Sequence, residues 1–79
     1  MPAFIPMYRQ IIADLTEQID RGQLLPGEKL PSTRELAQHY GVSRGTVRDA
    51  INRLLDSGVL RGHTGLGVFV AGTGRRESG

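Results

Sequence analysis

The sequence predicts a small, mainly α-helical domain that ends in a β-hairpin. Apolar residues recur at three- and four-residue intervals in three segments, as in helices that bury one side. Serine and glycine residues stand where those helices would begin and end. After Gly58 the apolar pattern changes to that of short extended strands. A chain of 79 residues has room for one such domain.

The first predicted helix lies in the segment YRQIIADLTEQIDRG and ends at Gly22. Its inward-facing stripe consists of Tyr8, Ile11, Ile12, Leu15 and Ile19. The following segment, LLPGEKLPS, contains two prolines and a Pro-Gly pair, which favour an irregular connection. Within it, Lys29 and Leu30 are expected to form a short edge strand.

Two further helices follow in close succession. Ser32 and Glu35 have the spacing of a capping box, so helix two is expected to begin there and to end at Gly41. Ser43 is expected to cap helix three, which Gly58 closes. The buried stripe of helix three is expected to comprise Val47, Ala50, Ile51, Leu54 and Leu55. Two helices joined by so short a turn are typical of a helix-turn-helix.

The last predicted elements are two short strands. The stretches VLR and VFV are expected to pair on either side of the glycine-rich loop GHTGLG. The loop is long enough to let the two strands meet as a hairpin. The sequence contains no internal repeat.

The folded part occupies most of the chain. We expect it to span residues 8–70, preceded by an N-terminal arm of residues 1–7. Residues 71–79 are mostly small and polar, which favours a flexible tail or linker.

The basic residues are concentrated in the middle of the chain. The net charge is +2 and the pI is about 9.7. Residues 7–28 carry two arginines against four acidic residues, whereas residues 29–63 carry six basic residues against three acidic ones. This distribution is typical of a nucleic-acid-binding surface.

The sequence also argues against several classes of protein. It has no cysteine, which excludes disulfides and cysteine-ligated metal sites. It has neither a recognisable signal sequence nor an apolar run of membrane-spanning length. We therefore expect a cytoplasmic protein with no membrane association.

Two arginines at the start of helix three are the clearest functional signal. Arg44 and Arg48 lie one turn apart on the open face, where the positive end of the helix dipole disfavours cations. A bound anion, such as a DNA phosphate or the guanine edge in a major groove, would relieve this repulsion. Gly45 lowers helix propensity but allows another backbone to approach closely. The alternative is that the two arginines only form a solvated face.

Two other regions carry weaker signals. Arg34, in the first turn of helix two, is expected to contact phosphate or base, or alternatively to pair with an acidic neighbour. Arg61, His63 and Thr64 lie on a glycine-rich tip that could enter a minor groove, although the loop taken alone favours an ordinary hairpin turn. Its glycines do not open a helix after a strand, so a mononucleotide site is not expected.

The sequence assigns no catalytic residue, metal ligand or cofactor. The two histidines, His39 and His63, lie on different predicted elements, and no Ser-His-Asp arrangement or metal-ligand spacing accompanies them. His39 is expected to be solvated. An enzyme is therefore the least favoured class.

Two stretches of the sequence match a known pattern. They are LPGEKLPSTRELAQHYGVSRGTVRDAINRLLDSGVL and GLGVFV. On them the chain, from about Tyr8 to Val70, resembles the DNA-binding domain of the GntR family of bacterial transcription regulators. The resemblance implies a winged helix-turn-helix, with residues 43–58 as the recognition helix in the major groove and residues 60–70 as the wing at the minor groove or backbone. It implies DNA contacts by Arg34, Ser43, Arg44, Gly45, Thr46, Arg48, Thr64 and Gly65, with His63 adjacent.

The resemblance further implies sequence-specific binding of double-stranded DNA and regulation of bacterial transcription, with repression expected. Members of this family bind pseudo-palindromic operators as homodimers. A small-molecule effector is expected only where the usual C-terminal domain of the family is present. Two positions depart from the family pattern: Gly45 stands where many members carry a side chain able to touch a base, and Val68 stands where threonine is common.

Two other binding functions remain as alternatives. A protein-interaction module would present an apolar patch on the open face of helix three, which instead carries Arg, Gly, Asp and Asn. An RNA-binding domain would expose aromatic residues for stacking, but the four aromatic residues lie mostly on predicted core stripes.

Overall fold

Each segment with the helical apolar period forms a helix, and the extended segments form a hairpin. The computed structural model describes residues 5–72. Its elements are α1 (Met7–Asp20), α2 (Thr33–Tyr40), α3 (Arg44–Asp56), β1 (Leu60–His63) and β2 (Gly67–Val70). The predicted fold class, mainly α with a small β-hairpin, is confirmed. Residues 1–4 and 73–79, which hold most of the predicted arm and tail, lie outside the described residues.

The first helix starts from a proline. The Pro6 carbonyl accepts hydrogen bonds from the Arg9 and Gln10 amides at 3.0 and 3.3 Å, so α1 begins one residue before the predicted Tyr8. A proline here breaks no helical hydrogen bond, because the first amides of a helix have no intrahelical partner.

A capping box begins α2, as predicted. The Glu35 amide donates to the Ser32 hydroxyl at 3.1 Å, and the Ser32 amide donates to a Glu35 carboxylate oxygen at 2.8 Å. These hydrogen bonds lower the pKa of Glu35, the one from the Ser32 backbone contributing most. The carboxylate therefore stays charged at the positive end of α2, where a negative charge is favourable.

The turn between α2 and α3 consists of residues 41–43. Gly41 adopts the left-handed conformation (φ 69°), which a side chain would strain, and so ends α2. The Val42 amide then donates to the Ala37 carbonyl at 3.0 Å. The next residue, Ser43, already caps α3. This turn sets the two helices of the predicted helix-turn-helix.

The three helices pack around one apolar core, in which α3 contacts both α1 and α2. The buried hydrophobic residues are Ile11, Leu15, Leu24, Leu30, Leu36, Ala37, Val47, Ala50, Ile51, Leu54, Leu60 and Val70. Leu55, which we expected in the buried stripe, is half-buried because it lies at the edge of α3 beside the hairpin. Within residues 5–72 no polar side chain is buried, and no helix is long and apolar enough to cross a bilayer.

The hairpin has a shorter loop than the sequence predicts. β1 and β2 pair antiparallel, with Gly62 opposite Val68 and His63 opposite Gly67. Only residues 64–66 remain as the turn, so the predicted loop GHTGLG was too long. The backbone hydrogen bonds of the pairing outweigh the low strand preference of glycine, which is the reason for the difference.

A segment from the connection after α1 lies along the other edge of β2. Lys29 forms a β-bridge with Phe69, and the Leu30 amide donates to the Val68 carbonyl at 2.8 Å. The expected edge strand is thus reduced to a single bridge at Lys29. Segment 27–30 nonetheless fastens the hairpin to the helical part of the domain.

Candidate nucleic-acid interface

The start of α3 presents two backbone amides with no acceptor among residues 5–72. The Ser43 hydroxyl accepts a hydrogen bond from the Thr46 amide at 3.2 Å and lies 3.1 Å from the Thr46 hydroxyl. The Arg44 and Gly45 amides precede the first intrahelical hydrogen bonds and remain unused within this range. Because the positive end of the helix dipole lies at the same place, this turn can hold an anion.

The cations on this turn face solvent. Arg44, Gly45 and Arg48 are exposed, and Thr46 is half-buried. The two ion pairs found within residues 5–72 include neither Arg44 nor Arg48. No internal carboxylate therefore neutralises them in the described part of the chain, and an external anion would be their counter-charge.

The C-terminal half of α3 differs, because its arginine, Arg53, contacts other side chains of the domain. The Arg53 Nε atom lies 3.2 Å from an Asp49 carboxylate oxygen. The Arg53 guanidinium carbon also lies 4.4 Å from the centroid of the Tyr8 ring, a cation–π arrangement. The open face of α3 thus divides into an N-terminal half with unpaired cations and a C-terminal half whose cation is paired.

An open cleft of about 480 Å³ lies between α2 and the start of α3. Arg34 and Gln38 line it from α2, and Ser43 and Arg44 line it from α3. The structure thereby brings three of the predicted site residues to one opening. Arg34 is exposed and belongs to neither ion pair of the described chain, so the predicted alternative of an acidic partner is not found there.

Gln38 is a lining residue that we did not single out from the sequence. It follows Arg34 by four residues on α2, and residues with this spacing lie on the same side of a helix. That spacing was the available signal. Its amide group can both donate and accept a hydrogen bond, which suits either a phosphate or a base edge.

The remaining predicted residues form a second group at the wing, which we define as residues 60–70. Thr64 and Gly65 are exposed in the turn, and His63 lies at the end of β1. The His63 ring packs edge-on against Phe69, with 5.4 Å between the ring centroids. His63 lines a different cavity from the α2–α3 cleft, together with Arg61. The DNA contacts of this group stay predictions.

The described residues offer little for catalysis. Within residues 5–72, no three His, Asp or Glu side chains lie close enough together to hold a metal ion. His39 is exposed, as expected, and packs edge-on against Tyr40 with 4.8 Å between the ring centroids. The exposed amides, hydroxyls and guanidinium groups at the start of α3 are suited to binding an anion.

Comparison with known proteins gives consistent matches. The family model for bacterial regulatory proteins of the gntR family matches residues 7–70. The chain is 46% identical over 67 residues to the HTH-type transcriptional repressor NagR of Bacillus subtilis (strain 168), covering 85% of this chain and 28% of NagR. It is 45% identical over 65 residues to the mannosyl-D-glycerate transport/metabolism system repressor MngR of Escherichia coli (strain K12), covering 82% and 27% respectively. The chain thus spans less than a third of the length of these relatives.

Solved structures share the same architecture. The AraR DNA-binding domain in complex with operator ORR3 matches with a TM-score of 0.85 and 39% identity, over 90% of this chain and 86% of that chain. YtrA from Sulfolobus acidocaldarius, a GntR-family transcription factor, matches with a TM-score of 0.81 and 40% identity, over 87% and 72%. These matches confirm the winged helix-turn-helix fold.

Proposed function

Because the chain belongs to the GntR family of bacterial regulatory proteins, we propose that residues 8–70 bind a double-stranded operator sequence-specifically and so regulate transcription. In this proposal the recognition helix, residues 43–58, enters the major groove. The wing meets the minor groove or the phosphate backbone. The match to the AraR DNA-binding domain, whose structure is a complex with an operator, supports DNA binding by this fold.

The observation that carries the proposal is the unneutralised positive charge at the start of α3. Arg44 and Arg48 supply guanidinium groups that can grip guanine through two hydrogen bonds or contact phosphate. Shorter hydrogen-bond donors to the DNA phosphates are also present, namely the Ser43 and Thr46 hydroxyls and the Gly45 amide. A duplex bound here would offset the repulsion between these arginines and the positive end of the α3 dipole in the free domain.

Two further groups complete the proposed contact surface. Arg34 shares its cleft with Arg44 and contacts a phosphate or base beside the recognition helix. At the wing, Thr64 and Gly65 form the tip, and His63 lies next to them. Thr64 and Gly65 are small, so a DNA backbone can approach the turn closely at these two residues.

We further propose that the regulation is repression by a homodimer on a pseudo-palindromic site. The names of NagR and MngR both describe repressors, which supports this outcome. A C2 dimer on two half-sites is the usual geometry for helix-turn-helix domains. A small-molecule effector enters this proposal only if the domain belongs to a longer regulator. The site of action would be the bacterial cytoplasm, where the chromosome lies.

Selection from a pool of randomised duplexes tests the proposal. We expect one sequence to be enriched, with two copies of the domain per duplex by sedimentation. The affinity of the domain for this duplex should fall as salt rises. A plot of log affinity against log salt concentration should have a slope of about −0.9 for each neutralised phosphate. Equal affinity for the selected and a scrambled duplex, or an affinity independent of salt, would contradict the proposal. An RNA hairpin of the same sequence serves as competitor, and stronger binding to it would favour the RNA alternative.

A matched pair of variants assigns the effect to α3. We expect Arg44→Ala to reduce discrimination at one base pair by roughly 1–3 kcal/mol if Arg44 reads guanine. Equal losses on all duplexes would show instead that it contacts phosphate. Arg21→Ala is the control, because Arg21 lies at the far end of α1 and pairs with Glu17 at 2.7 Å. We expect that control to bind like the parent protein.

A further inference from the structure

Lys29 is held at the edge of the wing by its neighbours. The Gly27 amide donates to the Val70 carbonyl at 2.9 Å, and the Leu30 amide donates to the Val68 carbonyl at 2.8 Å. The β-bridge between Lys29 and Phe69 lies between these hydrogen bonds. The backbone of Lys29 therefore has a fixed position along β2, although it is distant from the wing in sequence.

The Lys29 side chain lies across the wing at Gly67. A Cβ atom added to Gly67 would lie 2.8 Å from the Lys29 Cε atom, 3.7 Å from Nζ and 3.8 Å from Cδ. Gly67 also has a φ of +126°, a backbone conformation that a side chain would strain. The absence of a side chain at Gly67 is what allows the lysine stem to pack on the backbone. The ammonium group is thereby placed beside the wing turn.

The Lys29 charge is not neutralised by its described surroundings. The residue is exposed, and it takes part in neither ion pair found within residues 5–72. The charge of Lys29 lowers the pKa of Glu35, but the hydrogen bonds from Ser32 lower it more, and neither ion pair of residues 5–72 joins these two side chains. Since Glu35 is already engaged in the capping box, Lys29 retains its positive charge for another partner.

The position of Lys29 lies between two parts of the proposed DNA surface. It lines a cavity of about 260 Å³ together with Ser32 and Thr33 at the start of α2 and Leu66 at the wing turn. The residue after Thr33 is Arg34, which lines the α2–α3 cleft. Lys29 and Arg34 thus lie five positions apart in the chain, each lining a cavity beside the start of α2.

We propose that Lys29 is a phosphate-binding residue of the wing, which neutralises a backbone phosphate of double-stranded DNA between the wing turn and the start of α2. This inference rests on the proposed function. The partner is a phosphate rather than a base, because an ammonium group is a compact point charge without the paired donors that read guanine. A contact of this kind fixes the position of the domain on the duplex and carries no sequence information.

Two substitutions separate the charge from the packing. Lys29→Met keeps an unbranched stem that can lie on Gly67 but removes the charge, and Lys29→Arg keeps the charge. Binding is measured by fluorescence anisotropy on the selected duplex and on a scrambled one, from 50 to 200 mM salt. We expect Lys29→Met to make the log–log salt slope less steep by about 0.9, so that its deficit in affinity shrinks about 3.5-fold between 50 and 200 mM salt. Lys29→Arg should restore the slope.

The matched control is Arg21→Met. It removes a cation that pairs with Glu17 at 2.7 Å and lines neither the α2–α3 cleft nor the cavity beside Lys29, so it should leave the slope unchanged. Urea denaturation of each variant shows whether the domain remains folded. An unchanged slope for a folded Lys29→Met variant would overturn the inference, as would a loss confined to one base pair. If the parent protein itself fails to bind any duplex, the proposed function fails instead, so the two failures are distinguishable.

Discussion

The Tyr40 hydroxyl donates a hydrogen bond to the Asp14 carboxylate and so joins the end of α2 to the middle of α1. The same carboxylate oxygen accepts a hydrogen bond from the Gln18 side chain at 3.1 Å, which holds it in place. Partial burial raises the pKa of Tyr40, and the hydrogen bond to Asp14 and the negative charge of Asp14 raise it further. The helix-turn-helix is therefore fastened to α1 by a polar contact as well as by its apolar core.

Replacing this tyrosine gives a pH-dependent stability change. We expect Tyr40→Phe to lower the free energy of unfolding by about 1.5–3 kcal/mol at neutral pH, because it removes one hydrogen bond to a charged acceptor. The raised pKa means that the stabilisation is complete below the ordinary tyrosine pKa of 10.0 and declines as the pH rises above it. Urea denaturation from pH 7 to pH 11 should show the two proteins converging in stability.

Tyr8→Phe provides the control for that experiment. The Tyr8 hydroxyl has no hydrogen-bond partner among residues 5–72, so its removal should have little effect. The Tyr8 ring, over which Arg53 packs, remains in this variant. A constant difference between Tyr40→Phe and the parent at every pH would contradict the assignment of the hydrogen bond to Asp14.

Gly45 is predicted to trade stability for binding. A Cβ added there would lie 3.8 Å from the Ser43 hydroxyl oxygen, an ordinary contact, so alanine fits the free domain. Gly45→Ala should therefore raise the free energy of unfolding by up to about 1 kcal/mol, through higher helix propensity. If the duplex backbone approaches this residue closely, the same change should weaken DNA binding. Denaturation and titration with the selected duplex measure the two effects, and unweakened binding would show that DNA does not approach Gly45.

The two arginines on α3 should respond differently to the same substitution. Arg48→Gln removes an exposed cation in the unpaired half of the helix, so we expect weaker DNA binding and a reduced salt slope. Arg53→Gln removes the contacts to Asp49 and Tyr8, so its main effect should be a loss of stability of about 0.5–1 kcal/mol. Each variant loses one charge, which makes them mutual controls. Equal losses of DNA affinity would contradict the division of α3 into two halves.

The capping box of α2 should make stability depend on pH in acid. The lowered pKa of Glu35 means that its stabilisation is complete above the ordinary value of 4.5 and is lost as the pH falls through the lower folded value. We expect the Tm difference between the parent and Glu35→Gln to shrink as the pH falls from 6 to 3. Ser32→Ala, which removes the other half of the box, should cost about 1 kcal/mol at neutral pH. A difference that persists unchanged at pH 3 would argue against the charged carboxylate as the cause.

Features that depend on nearby residues could be predicted from the sequence. The caps at Ser32 and Ser43 and the stop at Gly41 each involve groups within a few residues of one another. Their physical chemistry is therefore contained in a short stretch of sequence. For the same reason Arg44 and Arg48 could be identified as unfavourably placed cations without any knowledge of the tertiary structure.

Features that depend on distant residues could not be predicted in the same way. The predicted length of the wing turn was wrong, because cross-strand pairing and not local preference decides where β1 ends. Gln38 and Arg44 line the same cleft because of the angle between α2 and α3, which is set by tertiary packing. The packing of Lys29 on Gly67 joins residues 38 positions apart and left no periodic signal in the sequence.

The hydrogen bonds between segment 27–30 and β2 have a consequence for how the domain meets a duplex. A flexible loop loses conformational entropy when it binds, which costs about 1–2 kcal/mol for each backbone residue that becomes fixed. Here folding has already fixed the base of the hairpin, so less backbone entropy remains to be lost in the proposed contact between the wing and DNA. In the proposed complex, a wing whose base is already ordered would lengthen the residence time on the duplex even with few contacts.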